Sequence, residues 1–214
     1  MPSRAHPTDE FEAPLWAQGV HDVAGLDEAG RGAWAGPVVA AAVILRPDAL
    51  PNGLNDSKQL TPAHRERLYV QLEAVAAGIG IGVVSAEVID QINILEATRQ
   101  AMRQALQCLP RQPRFLLLDA VDLPDIAIPQ RAIVHGDARS LSIAAASIIA
   151  KVYRDRLMTA LDAQYPPYGF ARHKGYGTAY HRQVLASHGP LPIHRMTFRG
   201  VIPQSSFPRL ETKG

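Results

Sequence analysis

Residues Val23 to Leu45 read VAGLDEAGRGAWAGPVVAAAVIL. The short apolar run Val23–Leu26 leads directly into Asp27 and Glu28. A glycine-rich turn follows over Gly30–Gly36, and Pro37–Leu45 is apolar throughout. Two strand-like runs joined by a tight, glycine-rich link predict a β-hairpin. The first strand of that hairpin would end on a pair of carboxylates.

Working outward, Asn52–Lys58 reads as a loop, and Thr61 with Pro62 reads as an N-cap and first helical residue. That helix is expected to run to about Ala77, and Ile79–Val84 alternates with glycine as a strand does. Ile94, Thr98, Ala101, Met102, Ala105, Leu106 and Leu109 have helical spacing, and Pro110 closes the segment. Arg114–Leu118 is a buried strand that delivers Asp119, and Ala132–Val134 is a brief strand ahead of Gly136-Asp137. A long helix is expected over Ser142–Asp162, with Ile149, Val152, Leu157 and Ala160 as its stripe. Tyr165–Gly177 reads as a loop and Thr178–Ser187 as a last helix. Antiparallel strands followed by alternating helices and strands predict a mixed α/β sheet. We expect a flexible arm over 1–20, one domain over 21–201 and a flexible tail over 202–214.

The chain has 214 residues, 47% of them hydrophobic, enough for a substantial core. The longest apolar run, Val38–Leu45, is far short of a membrane span. Asp9, Glu10 and Glu12 stand where a signal peptide would be apolar, so a cytoplasmic location is expected. Cys108 is the single cysteine, which excludes an intrachain disulfide framework and a cysteine-based zinc site. It falls late in a helical pattern and is expected to be packed. From Arg139 onward there are 11 Lys or Arg against 3 acids, whereas residues 1–138 carry 11 basic and 17 acidic residues. The last third is either a solvated basic face or a surface for a polyanion.

Asp27, Asp119 and Asp137 each follow an apolar strand-like run, and ligands gather beyond such strand ends. Two readings stand: acids that merely close strands, as turns favour, or carboxylates that hold a hard divalent cation. Glu28 is adjacent to Asp27, but neighbouring strand residues point to opposite faces. Both can aim at one ion only if the strand breaks near Gly30 and Gly32. Otherwise Glu28 serves through its backbone or from behind. Gly30, Gly32 and Gly36 do not have dinucleotide-fingerprint spacing, and no phosphate-binding loop or serine-hydrolase elbow occurs. His173, His181, His188 and His194 match no metal spacing and are expected to be surface or phosphate contacts. Tyr168–Tyr176 interleaves cations and rings on a glycine-containing loop. That composition suits a nucleic acid or a loop whose rings pack inward.

Several blocks together resemble the ribonuclease HII family. They are Gly25-Leu26-Asp27-Glu28-Ala29-Gly30-Arg31-Gly32, Asp56-Ser57-Lys58 with Leu60, and Leu118-Asp119. Gly136-Asp137 follows, then Ala144–Lys151, Arg154-Asp155, His173-Lys174-Gly175-Tyr176 and Ile193-His194-Arg195 with Phe198. The resemblance implies a ribonuclease H-like fold, a mixed five-stranded sheet flanked by helices with a C-terminal helical segment. It implies that Asp27, Glu28, Asp119 and Asp137 bind two Mg²⁺ or Mn²⁺ ions and carry catalysis. It implies that Gly30, Arg31 and Gly32 read the ribose, that Tyr176 senses the junction with deoxyribose, and that Lys58 and Lys174 contact phosphate. The implied activity is cleavage of RNA in RNA–DNA hybrids and 5′ of single ribonucleotides in duplex DNA. It leaves 3′-hydroxyl and 5′-phosphate ends and serves ribonucleotide and primer removal.

Asp122 and Asp125 are possible substitutes for Asp119, which is preferred because it directly ends the apolar run. The type 3 relatives carry an extra N-terminal domain, and the short stretch before the first block favours type 2. The chain is expected to be a monomer. Gln204-Ser205-Ser206-Phe207 with Leu210 resembles peptides that dock on sliding clamps, which competes with a simple unstructured end. Two other classes compete: a ribonuclease H-like nuclease for DNA, and a non-catalytic duplex-binding module. The second sits poorly with four acids that repel phosphate.

Overall fold

The computed structural model describes residues 6–202. The predicted hairpin is present: β1 (Val23–Ala29) pairs antiparallel with β2 (Val38–Ile44), from Ala24 opposite Ile44 to Ala29 opposite Val39. β3 (Gly78–Val84) adds antiparallel to β2. On the other edge β4 (Phe115–Asp119) lies parallel to β1, and β5 (Gln130–Ile133) lies parallel to β4. The five-stranded mixed sheet has the order β3-β2-β1-β4-β5.

Both faces are covered, so the central strands are apolar on both sides. One face, formed by Ala24, Leu26, Val38, Ala40, Ala42, Ile44, Leu116 and Leu118, packs against α3 (Ala86–Gln107). The other face, including Ala41 and Val43, packs against α2 (Pro62–Val75) and α4 (Leu141–Gln164). Thr61, Ser85 and Ser140 cap these three helices by accepting from His64, Val88 and Ile143 N–H groups. Asn93 interrupts α3 at φ 67°, and its side chain re-caps the second half through the N–H groups of Leu95 and Glu96. The helical spacing that begins at Ile94 is that second half. Gly25 lets α4 lie directly on β1: a Cβ there would come within 2.1 Å of the Ser142 carbonyl carbon.

Four expectations are corrected, three of them in the helices and the N-terminal segment. The stripe on α4 is wider than predicted at its start and weaker at its end: Ser142–Ala150 are buried all round, Leu157 is half-buried and Ala160 is exposed. The helix begins wedged between the sheet, α2 and the N-terminal segment. Cys108 closes α3 facing outward and is exposed. The third concerns the arm. Thr8 bridges to Ser140, Phe11 is buried between the guanidiniums of Arg131 and Arg139, and α1 (Ala13–Ala17) follows. Glu12 is fully buried and accepts from Ser140 Oγ at 2.5 Å and from Ser142 N at 2.8 Å. The first N–H groups of a helix have no partner inside it. Glu12 satisfies one of them from another part of the chain, and its negative charge suits that end of α4.

The C-terminal part consists of α5 (Phe170–His173) and α6 (Ala179–His188), packed on the end of α4. Tyr168, Phe170, Met158, Val184 and Leu185 form its core, with Trp34 against them. His173, His181 and His194 lie inside this cluster rather than on the surface, which corrects that expectation; His188 is exposed. His181 Nε2 is 3.0 Å from His194 Nε2, and His181 Nδ1 meets the Tyr176 carbonyl at 3.0 Å. Burial holds His181 down at a pKa of about 4, so it is neutral at physiological pH.

Replacing Glu12 should leave Ser142 N and Ser140 Oγ buried without their acceptor, a cost of about 1–3 kcal/mol. Glu12→Ala is expected to lower Tm by about 2–4 °C per kcal/mol lost. Thermal denaturation checks this, and an unchanged Tm would show that the segment is not docked.

Candidate active site

The parallel pairing of β1 with β4 sets the site. Leu26 is in register with Leu118, so the next residue on each strand is a carboxylate, Asp27 and Asp119. Ala24, Leu26, Leu116 and Leu118 face α3, so alternation turns Asp27 and Asp119 toward α4. Asp137 arrives from a 3₁₀ turn, Gly136–Ala138, just beyond β5 and just before α4. The Gly136 N–H donates to Asp119 Oδ1 at 2.8 Å and ties the turn to the strand. Carboxylate oxygens of Asp27, Asp119 and Asp137 all lie within 4.8 Å of one another.

Glu28 stands apart from this triad. β1 continues unbroken through Ala29, so Glu28 points to the other face, 3.5 Å from Arg31 NH1. Its Oε2 is buried without a hydrogen-bond partner. Asp122 and Asp125 pair with Arg99 and Arg103 away from the triad, which leaves Asp119 as the acid of that segment at the site.

Burial and mutual repulsion govern the charges. Burial raises the Asp27 pKa well above the carboxylate range, and the charges of Glu28, Asp119 and Asp137 raise it further. Burial, then Asp137, raises Asp119 as well, against the Gly136 N–H. Burial also raises Glu28, with Arg31 opposing it. One cation answers this charge directly: Lys58 Nζ lies 2.9 Å from Asp137 Oδ2. Burial alone would lower the Lys58 pKa, but the hydrogen bond and charge of Asp137 outweigh it and the pKa rises. Three hard oxygen donors converging in a buried, under-compensated site fit a divalent cation such as Mg²⁺. The orphaned Glu28 Oε2 is a further oxygen at the edge of the same site.

The triad opens into a cleft of about 580 Å³ lined by Asp27, Glu28, Asp119, Gly30, Arg31, Gly32, Lys58 and Tyr176. Tyr176 is 37% exposed, so its ring is available to a ligand. Gly32 faces open space, since a Cβ there would meet nothing within 4 Å. Lys174 is not brought into the cleft. Its Nζ donates to Thr159 Oγ1 and the Ala171 carbonyl, and it lines a neighbouring groove with Arg65, Lys151, Arg156 and Arg172.

Sequence reasoning missed Arg65, Ser147 and Lys151, which also line the cleft. Ser147 Oγ donates to Ser57 Oγ, and Arg65 donates to the carbonyls of Ser57 and Leu60. A signal existed: Ser147, Lys151 and Asp155 recur at four-residue spacing, the first of them inside the apolar run Ile143–Ala150.

Raised carboxyl pKa values mean that the folded chain binds protons more tightly than the unfolded chain. Without a bound cation, stability is therefore full below the ordinary carboxylate range and is lost as pH rises through the raised values. Asp27→Asn should raise Tm of the metal-free protein at neutral pH, cut the gain in Tm from Mg²⁺, and abolish cleavage. Thermal denaturation in chelator and in Mg²⁺ checks the first two and a cleavage assay the third. A lower Tm in chelator, or retained cleavage, would place the charge problem elsewhere.

Comparison with known proteins agrees with this geometry. The family model described as Ribonuclease HII matches residues 24–201. Ribonuclease HII of Chloroflexus aurantiacus is 57% identical over 202 residues, covering 92% of this chain and 95% of the relative. The crystal structure of ribonuclease H2 from Pyrococcus horikoshii OT3 superposes with a TM-score of 0.71 at 29% identity, covering 84% of this chain and 94% of the other. Ribonuclease HII of Archaeoglobus fulgidus, solved in complex with PCNA, has a TM-score of 0.70 at 30% identity, over 81% of this chain and 92% of the other. The fold is ribonuclease H-like, and the chain belongs to the ribonuclease HII family of endoribonucleases, which cleave the RNA of RNA–DNA hybrids.

Proposed function

We propose that this enzyme also cuts 5′ of a single ribonucleotide embedded in duplex DNA, leaving 3′-hydroxyl and 5′-phosphate ends, and so serves ribonucleotide and primer removal. The observation that carries this reading is the shared cleft: Asp27 and Asp119, with Asp137 close by, form one wall, and Gly30–Gly32 with Tyr176 forms another. Asp27, Glu28, Asp119 and Asp137 would hold two divalent ions, Mg²⁺ or Mn²⁺. When bound, these ions supply an activated water and charge stabilisation for the departing 3′ oxygen.

Metal chemistry is blind to the sugar, so discrimination belongs to the other wall. Among the described residues no hydrogen bond engages the N–H of Arg31 or Gly32, which suits donation to a substrate oxygen. The 2′-hydroxyl is the group that distinguishes RNA from DNA. Tyr176 offers a partly exposed ring for the adjoining sugar. Lys58 is 73% exposed on its side chain and reaches a scissile phosphate if a metal takes over Asp137. Lys174 is a phosphate contact farther along the duplex, in the neighbouring groove.

Initial rates on an all-DNA duplex, a duplex with one ribonucleotide and a continuous RNA–DNA hybrid, with and without Mg²⁺, test this directly. Losing the Tyr176 ring removes stacking of roughly 1–3 kcal/mol, whereas losing only its hydroxyl removes roughly 0.5–1.5 kcal/mol. Tyr176→Ala should therefore lose far more rate than Tyr176→Phe on the single-ribonucleotide duplex, and less on the hybrid, which offers many registers. Wild-type rate and cut position for Tyr176→Ala on the single-ribonucleotide duplex would make this residue mere packing.

The clamp peptide Gln204-Ser205-Ser206-Phe207 lies outside the described residues. We propose that it docks on a sliding clamp, a reading supported by the clamp complex of the Archaeoglobus fulgidus relative. Deleting residues 203–214 should abolish clamp binding and leave cleavage rates intact. Equal clamp affinity after deletion would sink this reading.

A further inference from the structure

Arg154 and Arg195 are both fully buried, and neither makes an ion pair among the described residues. A buried charge without a carboxylate is costly, and burial lowers the pKa of both. Their nitrogens are spent on backbone carbonyls. Arg154 donates from Nε to Pro37 at 2.9 Å, from NH1 to Lys174 at 2.9 Å and from NH2 to Ala35 at 3.1 Å. Arg195 donates from Nε and NH2 to Gly36 at 3.1 and 3.0 Å, and from NH1 to Arg31 at 2.8 Å.

These carbonyls belong to two irregular segments, the turn between β1 and β2 and the loop that carries Tyr176. Irregular buried backbone must find partners outside a sheet or helix. A planar guanidinium fork can serve three carbonyls in fixed directions, which a lysine ammonium cannot. Arg154 also lies under both reading elements. Its Cζ is 5.5 Å from the Tyr176 ring centroid, and a Cβ on Gly30, at φ 89°, would meet its Nε at 1.9 Å. The two segments also touch directly, since Trp34 N and Ala35 N both donate to the Gly175 carbonyl.

We propose that Arg154 and Arg195 form a buried guanidinium frame that fixes the Gly30–Gly32 turn and Tyr176 relative to each other, and thereby sets discrimination for a ribose–deoxyribose junction. They are positioning residues: neither reaches the cleft, and each acts through the backbone it holds. The inference rests on the proposed cleavage at single ribonucleotides.

The test is the ratio of the rate on a single-ribonucleotide duplex to the rate on a continuous hybrid, for Arg154→Lys and Arg195→Lys. Each variant keeps the charge and loses the fork. A misplacement of about 1 Å costs up to a hundredfold in rate, so the ratio should fall by about tenfold or more in each folded variant. The fall should appear in kcat more than in KM on the single-ribonucleotide duplex. Arg154→Lys combined with Tyr176→Ala should lose less than the product of the two single losses, because part of what Arg154 does is to position that ring through the Lys174 carbonyl. An equal loss on both substrates, or losses that simply multiply, would mean the arginines are general scaffolding and would overturn the proposal. If one variant fails to fold, the other decides. If both fail, Arg154→Gln and Arg195→Gln, which keep a planar donor, are read by the same ratio. Four unfolded variants would identify a folding element and overturn the proposal too. Failure of the wild type to cut the single-ribonucleotide duplex would instead refute the proposed function on which this rests.

Discussion

Three carboxylates, two buried and one half-buried, whose oxygens lie within 4.8 Å of one another are the constraint around which this molecule is arranged. At an effective dielectric near 20, a pair of like charges at 4 Å repels by about 4 kcal/mol. The fold opposes that repulsion with parts whose positions are set by other forces. Strand register fixes Asp27 and Asp119, because hydrophobic residues on β1 and β4 decide which face each strand turns to α3. A 3₁₀ turn between β5 and α4 fixes Asp137. Among the described residues local compensation stays small, one lysine and two backbone N–H groups, and that suits the site to a metal rather than to a quenched salt-bridge network.

Helix α4 joins these parts. Its start is held by Glu12 and immediately follows the turn bearing Asp137. Ser147 and Lys151 line the cleft one turn apart. Arg154 follows seven residues beyond Ser147, on the same side of the helix, and reaches under Gly30 and Tyr176. Met158 then enters the core of the C-terminal part. From Leu141 to Met158 the helix rises about 25 Å at about 1.5 Å per residue. A single rigid element thus spans the acid wall, the glycine and tyrosine wall and the C-terminal helices. Displacing its N-terminus would disturb all three.

What was legible in the sequence was what local chain geometry decides. An apolar run ending on an acid placed Asp27 and Asp119, while alternation left the direction of Glu28 open until the unbroken strand was seen. Capping residues and Pro62 placed α2. The mixed sheet and its hairpin followed from the order of the runs. What was not legible depends on contacts between distant residues. Glu12 meets Ser140 across 128 residues, and Arg195 meets Arg31 across 164. An arm that looked polar and aperiodic is docked because a helix end needed an acceptor. The histidines looked like surface groups because nothing local shows that Phe170 and Tyr168 enclose them. Within one loop Tyr168 and Phe170 turned inward while Tyr176 faced the cleft, so both readings of its composition hold in different places.

The two walls of the cleft carry opposite buried charge by opposite means. On one side, carboxylates gather oxygens and leave a negative site that attracts cations. On the other, guanidiniums lie beneath the glycine and tyrosine surface and satisfy carbonyls that the irregular backbone turns inward. Direct neutralisation between the walls does not occur, since neither Arg154 nor Arg195 pairs with a carboxylate among the described residues. Charges separated this way by a low-dielectric interior sustain a field across the cleft. Such a field favours cations at the aspartates and anions at the opposite wall. Under the proposed function, that field would hold the sugar edge of a phosphodiester against Gly30–Gly32 and Tyr176 and leave bound metal ions to draw its phosphate to the aspartates.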